Sequence, residues 1–137
     1  MEKVKVSGTI NAPAEEVWKL AGNFNGLDEF VEAVASCTTE GSGVGAVRTL
    51  ILQDGGEVRE KLESLDADNR VMTYSIVESP MPIENYTGTI EVKKIDEERS
   101  EFTWSSTFEA ADGTENDMKE ALEGLYSLGV AGLKDAF

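Results

Sequence analysis

The sequence has no histidine and a single cysteine among its 137 residues. The missing imidazole excludes Ser-His and Cys-His nucleophile pairs, histidine-ligated metal sites and the commonest proton shuttle near neutral pH. With Cys37 alone, no intrachain disulfide can form, and its thiol reads as a small buried hydrophobe. No metal and no cofactor is expected. Positive charge is also scarce: 12 Lys and Arg stand against 27 Asp and Glu, a net charge of -15 at pH 7. The acidic surplus runs along the whole chain, and such a surface repels phosphate backbones and anionic headgroups. Nucleic acid is therefore not an expected partner. Long apolar runs are absent too. The opening "MEKVKVSGTI" alternates from its start and has no apolar leader core, so membrane insertion is not expected and a cytoplasmic location is.

What remains is ordinary for a globular chain, with 40% hydrophobic residues and a length that fits one domain over 1–137. Val4, Val6, Gly8 and Ile10 alternate as one face of a first strand. "NAPAEEVWKLAG" reads as a short helix with Pro13 in its first turn, Glu15 and Glu16 at the N-terminal dipole and Gly22 as its stop. Its buried side would be Val17, Trp18, Leu20 and Ala21. "GLDEFVEAV" reads as a second short helical piece, anchored by Leu27, Phe30 and Val31. From about residue 35 the apolar period becomes two, which predicts strands at about 35–40, 45–53, 57–66, 70–78, 84–95 and 100–110. "TENDMKEALEGLYSLGVAGLKDAF" is a long helix with Thr114 as its cap. Met118, Ala121, Leu122, Leu125, Gly129, Gly132 and Leu133 form one stripe along it. An antiparallel meander with one wet face must cover the other, and only this helix is long enough to do so. The expected class is α+β: a seven-stranded curved antiparallel sheet wrapped around a C-terminal helix, with two short helices after the first strand.

One strand carries an anomaly. In "EVREKLESL", residues 57–65, alternation turns Glu60 inward with Val58 and Leu62. A carboxylate alone in apolar surroundings costs roughly several kcal/mol, so it needs a partner, water or a task. A three-residue loop at Asp54-Gly55-Gly56 would set Leu52 opposite Val58 and Leu50 opposite Glu60, with Arg48 on the diagonal. That diagonal is roughly 7 Å, within reach of an arginine. Two inward charges imply a wet cavity. Met72, Tyr74, Ile76, Tyr86, Gly88, Ile90, Phe102, Trp104, Ser106 and Phe108 are the other inward positions. Gly124, Gly129 and Gly132 each cost the helix about 1 kcal/mol relative to alanine. They serve either to make room for a ligand or to bring helix and sheet together. "GSGVGA" at 41–46 precedes a strand rather than a helix, and "DADN" at 66–69 runs into Arg70 where a calcium loop needs a ligand, so both read as turns.

The order of elements, together with "INAPAEEVWKLAGNFNGL", "GVGAVRTLIL" and "EKLESLDADNRVMTYSIVESPMPIENYTGTI", resembles the START-like helix-grip (SRPBCC) superfamily over almost the whole chain. Within it the chain looks like the bacterial polyketide cyclase/dehydrase-like branch, which is related to the plant abscisic acid receptors and the birch-pollen allergen. The resemblance implies a deep cavity between sheet and helix. Glu60 of "REKL" and Tyr86 of "ENYTG" would be polar groups in it, Arg48 of "AVRTL" would lie nearby, and "QDGGE" (53–57) and "ESPMPIE" (78–84) would sit at its mouth. Related bacterial sequences often carry a Pro-Glu-Trp-His-Pro type stretch where this chain has Asp28-Glu29-Phe30-Val31-Glu32, so chemistry using that histidine is absent. The receptors' ligand-anchoring lysine is replaced by Ala35.

Three functions are compatible with these residues. The first is binding of a small hydrophobic or aromatic molecule, lipid- or polyketide-like, lined by Leu50, Leu52, Met72, Tyr74, Ile76, Trp104, Leu125 and Gly129 and oriented by Arg48, Glu60 and Tyr86. The second is an enzyme of cyclase, aromatase or dehydratase type, with Glu60 as general acid or base and Tyr86 on a substrate oxygen. The third is a structural or interaction protein with an idle cavity. The absence of histidine favours binding. A monomer or weak homodimer is expected.

Overall fold

The structure is a computed structural model that describes residues 1–137. Seven strands form a single antiparallel sheet: β1 (Glu2–Ile10), β2 (Val34–Glu40), β3 (Val47–Leu52), β4 (Glu57–Asp66), β5 (Val71–Glu78), β6 (Ile83–Asp96) and β7 (Arg99–Ala110). Their order is β1-β7-β6-β5-β4-β3-β2, so β2 to β7 run as a meander and β1 docks beside β7. Helix α1 (Ala14–Ala21) and a 3₁₀ turn (Leu27–Glu29) make the crossing from β1 to β2, and helix α2 (Glu115–Ala136) closes the chain. This is a helix-grip arrangement. No helix is long and apolar enough to cross a membrane.

Alternation decides which side of each strand is dry. On β7, Ser100, Phe102, Trp104, Ser106 and Phe108 are buried while the residues between them are not. The same inward set on β5 and β6 brings Met72, Tyr74, Tyr86 and Ile90 into one apolar cluster with them. In α1 the buried positions are Ala14, Val17 and Ala21; Trp18 and Leu20 pack half-exposed on its flanks. The expected second short helix is reduced to the 3₁₀ turn, because the chain dives inward at Phe30 and Val31, both buried. Thr114 does not cap α2 with its side chain: its hydroxyl donates back to the Ala111 carbonyl at 2.6 Å.

The glycines of α2 serve close packing. A Cβ on Gly129 would stand 2.8 Å from the Trp104 ring, and one on Gly132 would run into the Phe30 backbone, whereas Gly124 faces open space. Across the sheet, a Cβ on Gly8 would meet Val130 at 2.4 Å. The helix therefore lies tight on β1 and β7 at its C-terminal half. Its N-terminal half, around Leu122 and Leu125, borders a space that the sheet does not fill.

The β3–β4 hairpin corrects the expected register. Arg48 lies directly opposite Glu60 and Leu50 opposite Val58, two residues out of step with the three-residue loop. Ile51 is the last β3 residue paired with β4, facing Glu57, and residues 53–56 form the turn. That turn holds itself together: Leu52 N–H donates to the Gly56 carbonyl, Gly55 N–H to the Leu52 carbonyl, and Gly56 N–H to Asp54 Oδ1 at 2.8 Å. Gly55 takes a left-handed φ of 93° that a side chain would strain. The parity of the two strands is as expected, so the apolar faces agree.

Candidate functional site

Between α2 and the inner faces of β3 to β7 lies a cavity of about 360 Å³. Leu50, Leu52, Glu60, Tyr74, Ile76, Tyr86, Trp104 and Leu125 line it, as does Met81 from the β5–β6 connection. Arg48, Met72 and Gly129 do not reach it: Arg48 and Met72 are wholly buried behind the wall, and Gly129 is packed on Trp104. Asp54 of the β3–β4 turn and Met81 border the cavity, which places both anticipated mouth loops beside it.

Glu60 is the inner charge of this space. β-Bulges interrupt the β4–β5 pairing on both sides of it, between Arg59 and Glu60 and between Leu62 and Ser64. Such bulges bend a strand and re-aim its side chains. Arg48 Nε donates to Glu60 Oε1 at 2.8 Å, and Nη2 lies 2.7 Å from the same oxygen without the alignment of a hydrogen bond. Nη1 donates to the Phe24 carbonyl at 3.0 Å, and the guanidinium carbon sits 4.3 Å from the Phe24 ring centre and 5.0 Å from that of Tyr74. Arg48 thus hydrogen-bonds the protein through Nε and Nη1, while Nη2 makes an ion-pair contact alone. Glu60 Oε2 makes no hydrogen bond to the protein, although the residue is only 6% exposed. Burial pushes the Glu60 carboxyl above the usual glutamate range, and Arg48 limits that rise without cancelling it. Half-buried Cys37 behaves similarly, its thiol raised by burial against the opposing charge of Arg48.

A second polar group is assembled from aromatic side chains. Trp104 Nε1 donates to Tyr74 Oη at 2.8 Å, Tyr74 Oη meets Tyr86 Oη at 3.0 Å, and Tyr86 is hydrogen-bonded in turn to Tyr126. An indole N–H can only donate, so Tyr74 accepts from it and directs its own proton elsewhere. Tyr126 stacks on Trp104 with ring centres 4.3 Å apart, and Ser106 Oγ faces its hydroxyl without an aligned bond. Burial pushes the Tyr126 hydroxyl up to about 12, and burial together with the neighbouring phenols raises Tyr74 and Tyr86 well above the ordinary tyrosine value. All three are neutral hydrogen-bonding groups. Tyr86 also follows a bulge, at Asn85, whose φ is 52°.

The sequence reading placed Tyr86, Tyr74, Trp104 and Glu60 together but passed over Tyr126 and Phe24. Tyr126 falls four residues after Leu122 and three before Gly129, so helical spacing alone could have found it. Phe24 contributes a carbonyl and a ring from an irregular segment, and no periodicity marks it.

Gly88 is the position that fits the tyrosine cluster together. It pairs directly with Tyr74 on the neighbouring strand, and a Cβ there would stand 2.3 Å from Tyr74 Cζ. Gly88→Ala is expected to push the phenol off its place, break the Trp104–Tyr74 bond and destabilise the fold by about 1–3 kcal/mol. Urea unfolding together with a changed tryptophan emission would register this; an unaltered spectrum and midpoint would show that the ring can move aside freely.

The polyketide cyclase / dehydrase and lipid transport family matches residues 1–137. The abscisic acid receptor PYL2 of Arabidopsis thaliana is 30% identical over 94 residues, 65% of this chain and 50% of the receptor, so the chain spans about half the length of that relative. Among solved structures, the protein XoxI of Bacillus cereus superposes with a TM-score of 0.94 at 33% identity, covering 100% of this chain and 96% of that one. The Zhui aromatase/cyclase of a Streptomyces species superposes with a TM-score of 0.79 at 18% identity over 98% and 92% of the two chains, a likeness of fold alone. With sheet, gripped helix and family match all running the length of the sequence, the chain belongs to the polyketide cyclase / dehydrase and lipid transport family.

Proposed function

We propose that this protein binds a small hydrophobic or aromatic molecule, lipid- or polyketide-like, in the cavity between α2 and the sheet. The observation that carries the reading is a cavity of about 360 Å³, mostly apolar, lined by a buried glutamate of which one carboxylate oxygen has no protein partner. Ligand pockets have this makeup: roughly 300–1,000 Å³ of apolar lining with a few polar groups that fix orientation. Glu60 and the Tyr74–Tyr86 hydroxyls supply those groups. Membership of a family described by cyclisation, dehydration and lipid transport supports the same reading.

Native mass spectrometry of the protein from its own host, followed by thermal-shift screening of aromatic polyketides, fatty acids and sterols, tests it. A ligand at a hundred times its Kd stabilises the folded state by about 2.7 kcal/mol. Leu125→Trp fills the cavity from the helix side and is expected to remove that shift while the protein stays folded. If no ligand co-purifies or stabilises, and Leu125→Trp behaves as wild type, the cavity is idle.

A catalytic second reading rests on the raised Glu60 carboxyl, since a general acid or base works best with its titration drawn toward the operating pH. Glu60 would transfer the proton and Tyr86 would hold the substrate oxygen. Turnover of a bound ligand that disappears in Glu60→Gln, with binding retained, would establish it; binding without turnover leaves the first reading.

A further inference from the structure

The charges that face the cavity restrict what it can hold, an argument that rests on the cavity being a binding site. Only two lining residues are ionisable as charges at neutral pH, Asp54 at the turn and Glu60 within, and both are acidic. The one cation beside them, Arg48, is fully buried, contributes nothing to the lining and spends its nitrogens on Glu60 Oε1 and the Phe24 carbonyl. Glu60 Oε2 is therefore an acceptor that needs a donor, and the strongest donor for a carboxylate is a charged one. Tyr74, Tyr86 and Trp104 line the same cavity, and aromatic ring faces attract cations rather than anions. A carboxylate ligand would find no free counterion here and would lie against Glu60 in a chain whose net charge is -15.

We infer that the cavity selects a hydrophobic or aromatic amine, bound as its ammonium with the nitrogen on Glu60 Oε2, and rejects the corresponding carboxylate. The amine's advantage over a neutral alcohol of the same shape comes from meeting the carboxylate with a full positive charge instead of a neutral donor, which is worth about tenfold in affinity.

Isothermal titration calorimetry with three probes of one skeleton, 2-naphthylmethylamine, 2-naphthylmethanol and 2-naphthoate, decides the matter at neutral pH and low salt. The expected order is amine, then alcohol, with no measurable naphthoate binding. In Arg48→Met/Glu60→Gln, which removes both charges and leaves neither unpaired, the amine should lose its lead while the alcohol binds as before. The single Glu60→Gln variant should read the same way. Naphthoate or alcohol binding as tightly as the amine would overturn the inference and leave the cavity reading intact. An amine preference that survives in both variants would place the cation elsewhere on the acidic surface and overturn it too. Failure of all three probes to bind would take down the inference and the cavity reading together.

Discussion

Replacing Arg48 with methionine is expected to destabilise the fold at neutral pH by about 3–5 kcal/mol, the cost of leaving a buried charge without its partner. Glu60 has no other protein group to turn to: both close contacts from Arg48 fall on Oε1, and Oε2 is unbonded. The reverse change costs less. In Glu60→Gln the guanidinium keeps an amide oxygen in reach, the Phe24 carbonyl at 3.0 Å and the rings of Phe24 and Tyr74. Adding Glu60→Gln to Arg48→Met should therefore recover most of the loss, since replacing a whole buried pair with uncharged groups is often neutral. Urea unfolding of the two single variants and the double variant measures the cycle. Losses that simply add would mean that the two residues do not act as a pair.

The pH dependence of that loss has a definite sign. Burial holds the Glu60 carboxyl above the ordinary glutamate range in spite of Arg48, so the folded protein keeps this proton more tightly than the unfolded chain does. The contribution of Glu60 to stability is then complete below the unfolded glutamate value and is lost as pH rises through the folded one. In Arg48→Met burial acts unopposed, the folded value climbs further, and the loss continues over a wider window. The deficit of the variant relative to wild type should be smallest in acid and grow toward neutral pH. A deficit that deepens on acidification instead would mean that the ionised pair holds the fold together.

Much of this site was legible because alternation and helical spacing are strict about faces. The inward set of Tyr74, Tyr86, Trp104 and Glu60 follows from period two in four separate strands, and the structure keeps every one of them buried. Parity also required the apolar sides of β3 and β4 to agree. Parity does not choose between registers that differ by two residues, however. That choice was made by the turn, where Asp54 and the Leu52–Gly56 bonds close a loop longer than the sequence glycines alone implied, and it moved Arg48 from the diagonal to the position facing Glu60. Phe24 was not legible for a related reason. Its role depends on where the crossing from β1 to β2 lies over β3, a long-range packing outcome that no local pattern encodes. The three glycines of α2 were visible but ambiguous, because spacing reports a face and not how near the next surface comes.

Two of those glycines are expected to answer alanine with opposite signs. Either substitution removes the backbone-entropy penalty of a helical glycine, a gain of about 1 kcal/mol. At Gly124 a new Cβ would meet nothing within 4 Å, so the gain is unopposed and the melting temperature should rise. At Gly132 the Cβ would stand 1.6 Å from the Phe30 carbonyl oxygen, and the obstacle is main chain that cannot swing aside as a side chain could. The helix must then back away from the Phe30–Val31 segment, at an overpacking cost of about 1–3 kcal/mol or more. Against main chain the cost falls at the upper end of that range, and after the helical gain the net loss reaches about 2 kcal/mol. The strain would also reach the cavity, since Leu122 and Leu125 on the same rigid helix form part of its wall. Thermal unfolding of the two variants side by side gives the comparison. A Gly132→Ala protein as stable as Gly124→Ala would mean that α2 does not rest on the Phe30 backbone.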